Sequence, residues 1–463
     1  MMELPFLEGR EKRFWFRSRK RSEFSVEGPL TPKKVKEISR FKGEPGWMTR
    51  FRLKGFEFFR GISLPDFGPD LSGIDFENMI YYSKPADKAR SWDEVPRDIR
   101  RTFEKLGMSE AEMRLLSGVE LQYDSEIVFE RARKELEKLG VIYMSMDDAV
   151  KEHPGIVRRY LGKLVRPDNN KFSALNTAVW SGGTFIYVPP GVRVPFPLHT
   201  YFRINLEGFG QFERTLIVVG EGSEVTYVEG CTAPLYSRAT LHASVVEAVA
   251  LPDSRLKYVT LQNWSKNVYN LVTMKALAQR GAFVQGISGN FGSKVTMRYP
   301  SIYLAGERAR GESMSVTISS KGQEMDLGAR IVHSAPETSS RTVSKTISLD
   351  GGVSTFRGLL RILRGSGFSR AGISCDSLLS GDSRANSVPV IDVKEKTAEL
   401  SHEAKVGEID MDKLFYLMSR GVSESKAMGM LIFGFVRDFV EELPLEYALE
   451  LQKLIEMDMG GGV

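Results

Sequence analysis

The chain has 463 residues, with 64 lysine and arginine residues against 59 acidic residues and a net charge of +5. This length predicts two or three domains or an elongated repeat architecture. Balanced charge disfavours nucleic acid as a partner, and the basic aromatic run 10–21 is more typical of a solvated or partner-covered tail than of a phosphate-binding segment. The two cysteines form no disulfide framework, no signal-peptide pattern follows the basic start, and the longest apolar run, 428–436, is too short for a membrane span. We expect a cytoplasmic protein.

Residues 1–175 are predicted to form a mainly helical N-terminal domain. Helix starts are indicated at Pro96, Ser109 and Ser125, each with acidic residues in the first turn or a glycine after the last. The third of these helices is expected to run through the segment SEIVFERARKELEKLG, residues 125–140. We find no catalytic constellation in this part of the chain.

From about residue 176 to 405 the pattern changes to short β-branched and aromatic runs separated by glycines. Segments such as TFIYV (184–188), TLIVV (215–219) and EVTYVEG (224–230) are typical of strands. More than 200 residues of this pattern predict either sandwich domains in series or a β-helix. No strict repeat period distinguishes the two.

Helical periodicity returns in residues 406–463. Ser423 is a predicted N-cap, and the apolar stripe between Met428 and Val440 repeats at helical spacing. Pro444 is predicted to begin a further helix that ends at Met457. Most of the stripe is expected to be core, and any exposed remainder is a candidate docking surface.

Several common enzyme signatures are missing from the sequence. There is no GxxxxGK[ST] phosphate loop, so ATP hydrolysis by this chain is not expected. GxGxxG, GxSxG, HExxH and CxxC are also absent, which disfavours dinucleotide, serine-hydrolase, zinc-protease and thioredoxin-type chemistry.

One short stretch concentrates metal-binding side chains. Cys375 precedes His402 and Glu403, and Cys375 and Glu403 are 28 residues apart. A thiol, an imidazole and a carboxylate are ligands for soft and borderline metals. In a β-solenoid this separation corresponds to roughly one winding, which would stack the two segments. The alternative is that Cys375 is a small buried hydrophobe and His402 a surface residue.

The sequence of this stretch resembles that of the SufB/SufD family of iron-sulfur cluster assembly scaffolds. The resemblance lies in CDSLLSGD (375–382) and SHEA (401–404), and extends through WMTRFRLKGFEFF (47–59), VEGCTAP (228–234), LHASVVE (241–247), GSKVTMRYPSIYL (292–304) and PETSSRTVSK (336–345). The SufD branch lacks the cysteine and has glycine after the histidine. The presence of Cys375 and Glu403 therefore favours the SufB branch.

The resemblance implies a mainly β fold: a right-handed parallel β-helix core, residues 176–405, flanked by helical domains. It implies a non-enzymatic SUF-system scaffold that takes up persulfide sulfur and iron and builds a transient cluster for apo iron-sulfur proteins. The implied partners are a SufC-type ATPase docked on residues 406–463, a SufD-type paralogue or second copy, and a sulfur donor. Reduced flavin is a further cofactor considered for the complex.

The resemblance also implies roles for individual residues. Cys375, Glu403 and His402 would be cluster ligands completed by a second subunit, since two cysteines cannot supply the usual four ligands. Cys231 would accept persulfide sulfur, about 30 Å from Cys375 if a winding takes roughly 20 to 25 residues and rungs lie ~4.8 Å apart. The polar family positions along the interior between them are Arg203, Asn205, Glu229, His242, Gln262 and Trp264. The alternative for each of these side chains is a purely structural role, in which its hydrogen bonds hold adjacent windings together.

Two alternatives remain open at this point. A β-helix polysaccharide lyase or hydrolase would need a groove with clustered acidic residues and usually a secretory signal, and neither is evident. A SufD-like structural subunit of the same complex would carry no sulfur or iron on Cys375.

Overall fold

The structure is a computed structural model that describes residues 24–84, 118–123, 126–132, 134–204, 206–233, 238–443 and 448. Its helices are α1 (Pro32–Phe41), α2 (Gly46–Gly61), α3 (Lys134–Lys138), α4 (Met146–Glu152), α5 (Pro154–Tyr160), α6 (Lys171–Val179), α7 (Met411–Ser419) and α8 (Glu424–Val440).

The strands of the first half are β1 (Phe24–Glu27), β2 (Ile80–Lys84), β3 (Gly118–Tyr123), β4 (Glu126–Ala132), β5 (Ile142–Ser145), β6 (Thr184–Val188), β7 (Leu198–Arg203), β8 (Gly210–Gln211), β9 (Arg214–Val219), β10 (Glu224–Thr232), β11 (Thr240–His242) and β12 (Val245–Ala250). Those of the second half are β13 (Arg255–Asn263), β14 (Val268–Ala278), β15 (Phe283–Phe291), β16 (Val295–Arg298), β17 (Ser301–Leu304), β18 (Arg310–Ser319), β19 (Glu324–Leu327), β20 (Arg330–His333), β21 (Ser339–Leu349), β22 (Val353–Ile362), β23 (Arg370–Ser380), β24 (Arg384–Val393) and β25 (Glu399–Glu408).

The strands from β6 onward wind into a parallel β-solenoid with two long sheets. One sheet has the order β25-β23-β21-β18-β15-β13-β10-β7-β3-β4, and the other runs from β16 and β19 through β14, β12, β9 and β6 to β5. In register, Glu224 pairs with Arg255 and Phe283 with Arg310, so one winding takes roughly 30 residues. The predicted β-helix with helices at both ends is confirmed. The shorter winding expected from the sequence is wrong, because each turn carries two long strands and their corners.

The interior of the solenoid changes character along its length. In the early windings, alternate residues of both sheets bury aliphatic and aromatic side chains against one another, among them Ile186, Ile217, Tyr227 and Tyr258. In the later windings, β18 and β21 turn mostly serine and threonine inward instead. The interior is therefore apolar where these side chains meet, and it also holds buried polar side chains, such as Glu229 and Gln262 in the early windings and the serine and threonine rows further on.

The N-terminal helices pack against the early windings. Helix α6 is buried along most of its length and contacts α2 closely: a Cβ on Gly55 would lie 2.7 Å from the side chain of Thr177. A buried ion pair of Arg214 with Glu247, 2.9 Å apart, links β9 and β12, and Glu247 also accepts the backbone N–H of Val165. These contacts fix the helices to the sheet.

The segment predicted as a helix from Ser125 is mostly a strand. Residues Glu126–Ala132 form β4, which pairs antiparallel with β3, and only the short helix α3 follows. Strands β3 and β5 also join the long sheets, so the wound sheets take in chain that precedes residue 176. The helices predicted from Pro96, Ser109 and Pro444 lie outside the described residues.

The C-terminal helices divide their apolar residues between core and surface. Ser423 is the N-cap residue of α8, as predicted. Ile432, Val436 and Phe439 of α8 are buried in a cluster with the outward-facing residues of the ten-stranded sheet. Helix α7 instead leaves large apolar side chains exposed, with Phe415 at 72% exposure. The part of the chain that the structure describes has no helix long and apolar enough to cross a membrane.

Among the described strands, β25 pairs only with β23 and β24 only with β22, so within this part of the chain the last winding leaves an open edge on both sheets. Val390 and Val406 on these strands are 53% and 62% exposed. Open strand edges of this kind favour pairing with another chain.

Candidate functional site

A polar cluster surrounds Cys231 inside the solenoid. Cys231 lies near the end of β10, where the thiol is buried and accepts a hydrogen bond from Gln262 Nε2 at 3.2 Å. Gln262 Oε1 accepts from Trp264 Nε1 at 2.8 Å, and the Trp264 ring lies 4.5 Å from the His242 ring. The structure thus brings together four residues that the sequence resemblance singled out separately.

Glu229 lies beside the same thiol on β10. Its Oε1 is 3.9 Å from Cys231 Sγ and accepts from the Tyr258 hydroxyl at 3.1 Å. Burial, reinforced by the nearby Glu213 carboxylate, raises the pKa of Glu229 to about 7, against the opposing charges of Arg298 and His242. A carboxyl group with this pKa can take up or release a proton near neutral pH.

The thiol itself is held in its protonated form. Burial raises the pKa of Cys231 well above its ordinary value, and the negative charges of Glu229 and Glu213 raise it further. The thiolate is the nucleophilic form, so Cys231 needs an adjacent proton acceptor to react. Glu229 is the carboxylate placed for that task.

His242 connects the thiol to a second buried carboxylate. Its Nε2 makes a hydrogen bond with Glu213 Oε1, and its Nδ1 lies 2.7 Å from the Asn270 side-chain oxygen. Burial acts to lower the pKa of His242, but the charge and hydrogen bond of Glu213 raise it overall. Ligand atoms of Glu213, Cys231 and His242 all lie within 4.8 Å of one another. Among the described residues, this is the group whose geometry suits a metal ion.

Sequence reasoning missed Glu213, Asn270, Tyr258 and Arg298. Arg298 lies in the family segment 292–304, for which the resemblance implied no site role, and nothing in the local sequence of Glu213 or Tyr258 distinguishes these two from ordinary strand residues. The signal that relates them to the site is the winding: His242 pairs with Asn270, and Cys231 with Gln262, one turn further along the chain. The estimate of 20 to 25 residues per winding is too short to find these pairs, whereas the 28-residue separation assigned to one winding equals the spacing of His242 and Asn270.

A row of polar side chains leads along the inner face of the ten-stranded sheet from this cluster towards Cys375. Glu229, Thr260, Ser288, Ser315, Ser344 and Cys375 occupy the same register position on successive strands. The Ser315 hydroxyl donates to Ser344 Oγ at 3.2 Å. We call Thr260, Ser288, Ser315 and Ser344 the hydroxyl row. Five strand steps of ~4.8 Å separate Cys231 from Cys375, or about 25 Å.

Cys375 is buried below the last strand. Its neighbours in register are Ser344 on one side and Ala404 on the other. Burial raises the pKa of Cys375 to about 12, although a hydrogen bond with Ser387 lowers it. At neutral pH the thiol is therefore protonated and covered.

Cys375, His402 and Glu403 lie on neighbouring strands, but not on one face. In this winding Glu403 pairs with Ser374 rather than with Cys375, which is one residue further along β23. Because side chains alternate along a strand, Glu403 falls on the outer face, where it is exposed and lies 2.7 Å from Lys405. His402 falls on the inner-face register, beside Ile373.

Of the two remaining predicted interior residues, the structure describes Arg203, which lies at the start of the solenoid. Arg203 is buried on β7 and donates to Thr232 Oγ1 at 3.2 Å, one residue from Cys231. Asn205 lies outside the described residues.

Comparison with known proteins identifies the family. Residues 202–435 match the family model for the SUF system FeS cluster assembly SufBD core domain, and residues 123–199 match the SufBD protein N-terminal region. The chain is 47% identical to the iron-sulfur cluster assembly protein SufB of Bacillus subtilis over 98% of both chains. It is 48% identical to an iron-sulfur cluster assembly SufBD family protein of Staphylococcus epidermidis over 95% of both chains. The chain therefore belongs to the SufBD family of SUF-system iron-sulfur cluster assembly proteins.

Proposed function

We propose that this chain is a SufB-branch scaffold that accepts persulfide sulfur at Cys231 and builds a nascent cluster at Cys375. Glu403 and His402 would add ligands at an interface with a second subunit, and the finished cluster would pass to apo-proteins. The observation that carries the proposal is the hydroxyl row, which joins the Cys231 cluster to Cys375 through the solenoid interior.

Burying the hydroxyl row inside the solenoid costs free energy unless the hydroxyl groups are hydrogen-bonded or bind a ligand. The same interior also packs aliphatic and aromatic side chains, and buried hydroxyl groups add stability only when they are hydrogen-bonded. Hydroxyl and carboxamide groups can donate hydrogen bonds to a small sulfur anion. The row therefore provides a path for such an anion that the apolar part of the interior does not.

At Cys231 the first step is transfer of the outer sulfur of a donor persulfide. Glu229 accepts the thiol proton, and the thiolate attacks the outer sulfur. The sulfur–sulfur bond of the donor breaks, the donor leaves as a thiolate that takes up the proton, and Cys231 becomes Cys231–S–SH. No oxidant or reductant is needed for this exchange. The position of Glu229, 3.9 Å from Sγ, supports it.

Movement to Cys375 requires a different step, because the sequence has no third cysteine to receive the sulfur. Two electrons and one proton convert Cys231–S–SH to the thiol and a hydrosulfide ion, which is small enough to follow the hydroxyl row. We propose reduced flavin, bound in the complex, as the source of the electrons. The two cysteines are too far apart for direct exchange.

The open end of the solenoid supports an interface site. The edges of β24 and β25 carry exposed apolar side chains, and of the predicted ligands His402 and Glu403 lie on the edge strand β25 and Cys375 on the adjacent β23. A second copy or a SufD-type paralogue paired there would bring a second set of ligands, giving the four that iron accepts. A thiol with a pKa of about 12 binds iron only after the interface opens. A SufC-type ATPase docked on the C-terminal helices would drive that opening.

Replacement of Cys231 by serine tests sulfur entry. Serine keeps the size and the hydrogen bond with Gln262 but removes the nucleophile, so the variant is expected to fold and to gain no persulfide. The measurement is intact-protein mass spectrometry after incubation with a persulfide-loaded cysteine desulfurase. The matched control, Cys375→Ser, is expected to load normally. Normal sulfur loading of Cys231→Ser contradicts the proposed entry point.

A further inference from the structure

We propose that Glu213, Cys231 and His242 form a buried binding site for one divalent transition-metal ion of the Fe²⁺ or Zn²⁺ class. This site is separate from the one expected at Cys375 and lies at the other end of the hydroxyl row. The three residues come from different turns and corners of the solenoid, and each offers a different ligand type.

The ligand set has the composition and spacing of a metal centre. A carboxylate oxygen, an imidazole nitrogen and a thiol sulfur lie within 4.8 Å of one another, and all three residues are buried. Bond lengths to zinc or iron are roughly 2.0 to 2.3 Å, so three atoms around one ion are at most about 4 Å apart, and side-chain movements of under about 1 Å bring these three into that range. Three protein ligands leave a fourth position open, as in metal sites that bind an exchangeable group.

The surroundings of His242 prepare its Nε2 for a metal. Nδ1 lies 2.7 Å from the Asn270 side-chain oxygen, so it carries the hydrogen and donates it. Asn270 is fixed in turn by donating to Thr296 Oγ1 at 3.3 Å. Metal-bound histidines generally donate their second ring N–H in this way. The Nε2 atom is then the one that faces Glu213, where a cation would replace the shared proton.

An independent observation points to a missing ligand. The second carboxylate oxygen of Glu213, Oε2, is buried and has no hydrogen-bond partner among the residues that the structure describes, and Glu213 is only 1% exposed. Burying a carboxylate oxygen without a partner is costly. A cation bound by both oxygens of Glu213, or by Oε2 alone, removes that cost.

Cobalt(II) alone tests the site, in the full-length Cys375→Ser variant whose only thiol is Cys231. One Co²⁺ per chain is expected, with a thiolate-to-cobalt charge-transfer band in the near ultraviolet. Cobalt is added anaerobically to the folded protein and, in parallel, during refolding, so that slow entry into the buried site does not decide the result. Absence of the charge-transfer band under both conditions overturns the proposal.

Further variants identify the other ligands. Glu213→Gln, close to isosteric, should bind Co²⁺ much more weakly, and Asn270→Ala should lower the affinity by roughly 10- to 100-fold, the effect typical of losing a group that orients a ligand. Circular dichroism checks that each variant is folded. A folded Glu213→Gln protein with unchanged affinity and spectrum overturns the proposed ligand set. No sulfur donor is present, so this outcome is independent of whether Cys231 accepts persulfide.

Discussion

Burial inside the solenoid changes the proton affinity of single side chains, and His333 is a clear case outside the site. Its two ring nitrogens each lie 2.8 Å from a hydroxyl oxygen, of Thr338 and of Ser340. Burial lowers the pKa of His333 from about 6.5 to about 4. The folded protein therefore keeps this ring neutral at pH values where the unfolded chain protonates it.

This shift predicts a pH-dependent loss of stability. Above pH 6.5 the ring is neutral in both states, and as pH falls from 6.5 to 4 only the unfolded chain binds the proton, so the free energy of unfolding decreases by at most about 3 kcal/mol. His333→Gln should remove this part of the decrease. Chemical denaturation at pH 7 and pH 4.5 measures it. An equal loss of stability in both proteins contradicts the assignment.

Substitution of one serine, Ser344, tests whether the hydroxyl row carries sulfur to Cys375. Ser344→Ala removes the hydroxyl next to Cys375 with little change in volume, and sulfide incorporation into the cluster is expected to slow about tenfold, the effect of losing one hydrogen bond of about 1.4 kcal/mol. Persulfide formation on Cys231 should be unchanged. Ser348→Ala, on the same strand and also buried but outside the row, is the matched control. Equal rates in the two variants would show that the row carries no sulfur.

The site residues divide into those that sequence reasoning could find and those it could not. Cys231, Glu229, His242, Gln262 and Trp264 stand in family motifs, and the structure gathers them into one cluster. Glu213 reaches that cluster only through the pairing of β8 with β11, which depends on the length of the winding. Local patterns carry no information about a contact that long-range register creates.

Among the secondary-structure elements, the helix predicted after Ser125 is wrong because its residues fit both helical and strand periodicity. The segment after Ser125 has apolar residues at helical spacing, yet Glu126–Ala132 is a strand that pairs with β3. Ile127 and Phe129 also alternate as in a strand, so periodicity alone cannot separate the two structures. Pairing with β3 makes this segment a strand, and the local sequence does not indicate the partner strand.

The burial of apolar residues in the C-terminal helices was also only partly predictable from the sequence. The apolar stripe from Met428 to Val440 is mostly core, as predicted, and it packs on the outer face of the solenoid. Exposed apolar residues lie on α7 and at Met430 of α8, and among the described residues of this region Phe415 and Tyr416, both on α7, are the most accessible aromatic side chains. We therefore place the proposed ATPase contact on α7.

This placement predicts opposite results for two substitutions. Phe415→Ala should weaken ATPase binding by at least tenfold, since exposed aromatic anchors dominate interfaces, and leave the melting temperature nearly unchanged. Ile432→Ala in α8 should instead lower the free energy of unfolding by roughly 2 to 5 kcal/mol. Calorimetric titration with the ATPase and thermal unfolding measure the two effects. Full-strength binding by Phe415→Ala would place the contact elsewhere.

At the scale of the whole molecule, the two ends of the solenoid are built differently. At the N-terminal end the two sheets stop at antiparallel strands, β4 and β5, and helices pack nearby. At the C-terminal end β24 and β25 leave parallel edges open, with exposed valines. The parallel edges of the second end are the ones that we propose to continue into another chain, and Cys375 lies one strand from them.

The central claim is that sulfur enters at Cys231 and becomes part of a cluster at Cys375. Cys375→Ala, purified anaerobically with its ATPase and partner subunit, separates the two events. Ser374→Ala, which changes the neighbouring outward-facing residue, is the matched control.

Iron and acid-labile sulfide per complex, together with persulfide on Cys231 by mass spectrometry, are the measurement. The account predicts an intact complex whose Cys375→Ala subunit carries persulfide on Cys231 but assembles no cluster, while Ser374→Ala assembles a normal one. A Cys375→Ala complex with normal iron and sulfide content would contradict it and make Cys375 a packing residue.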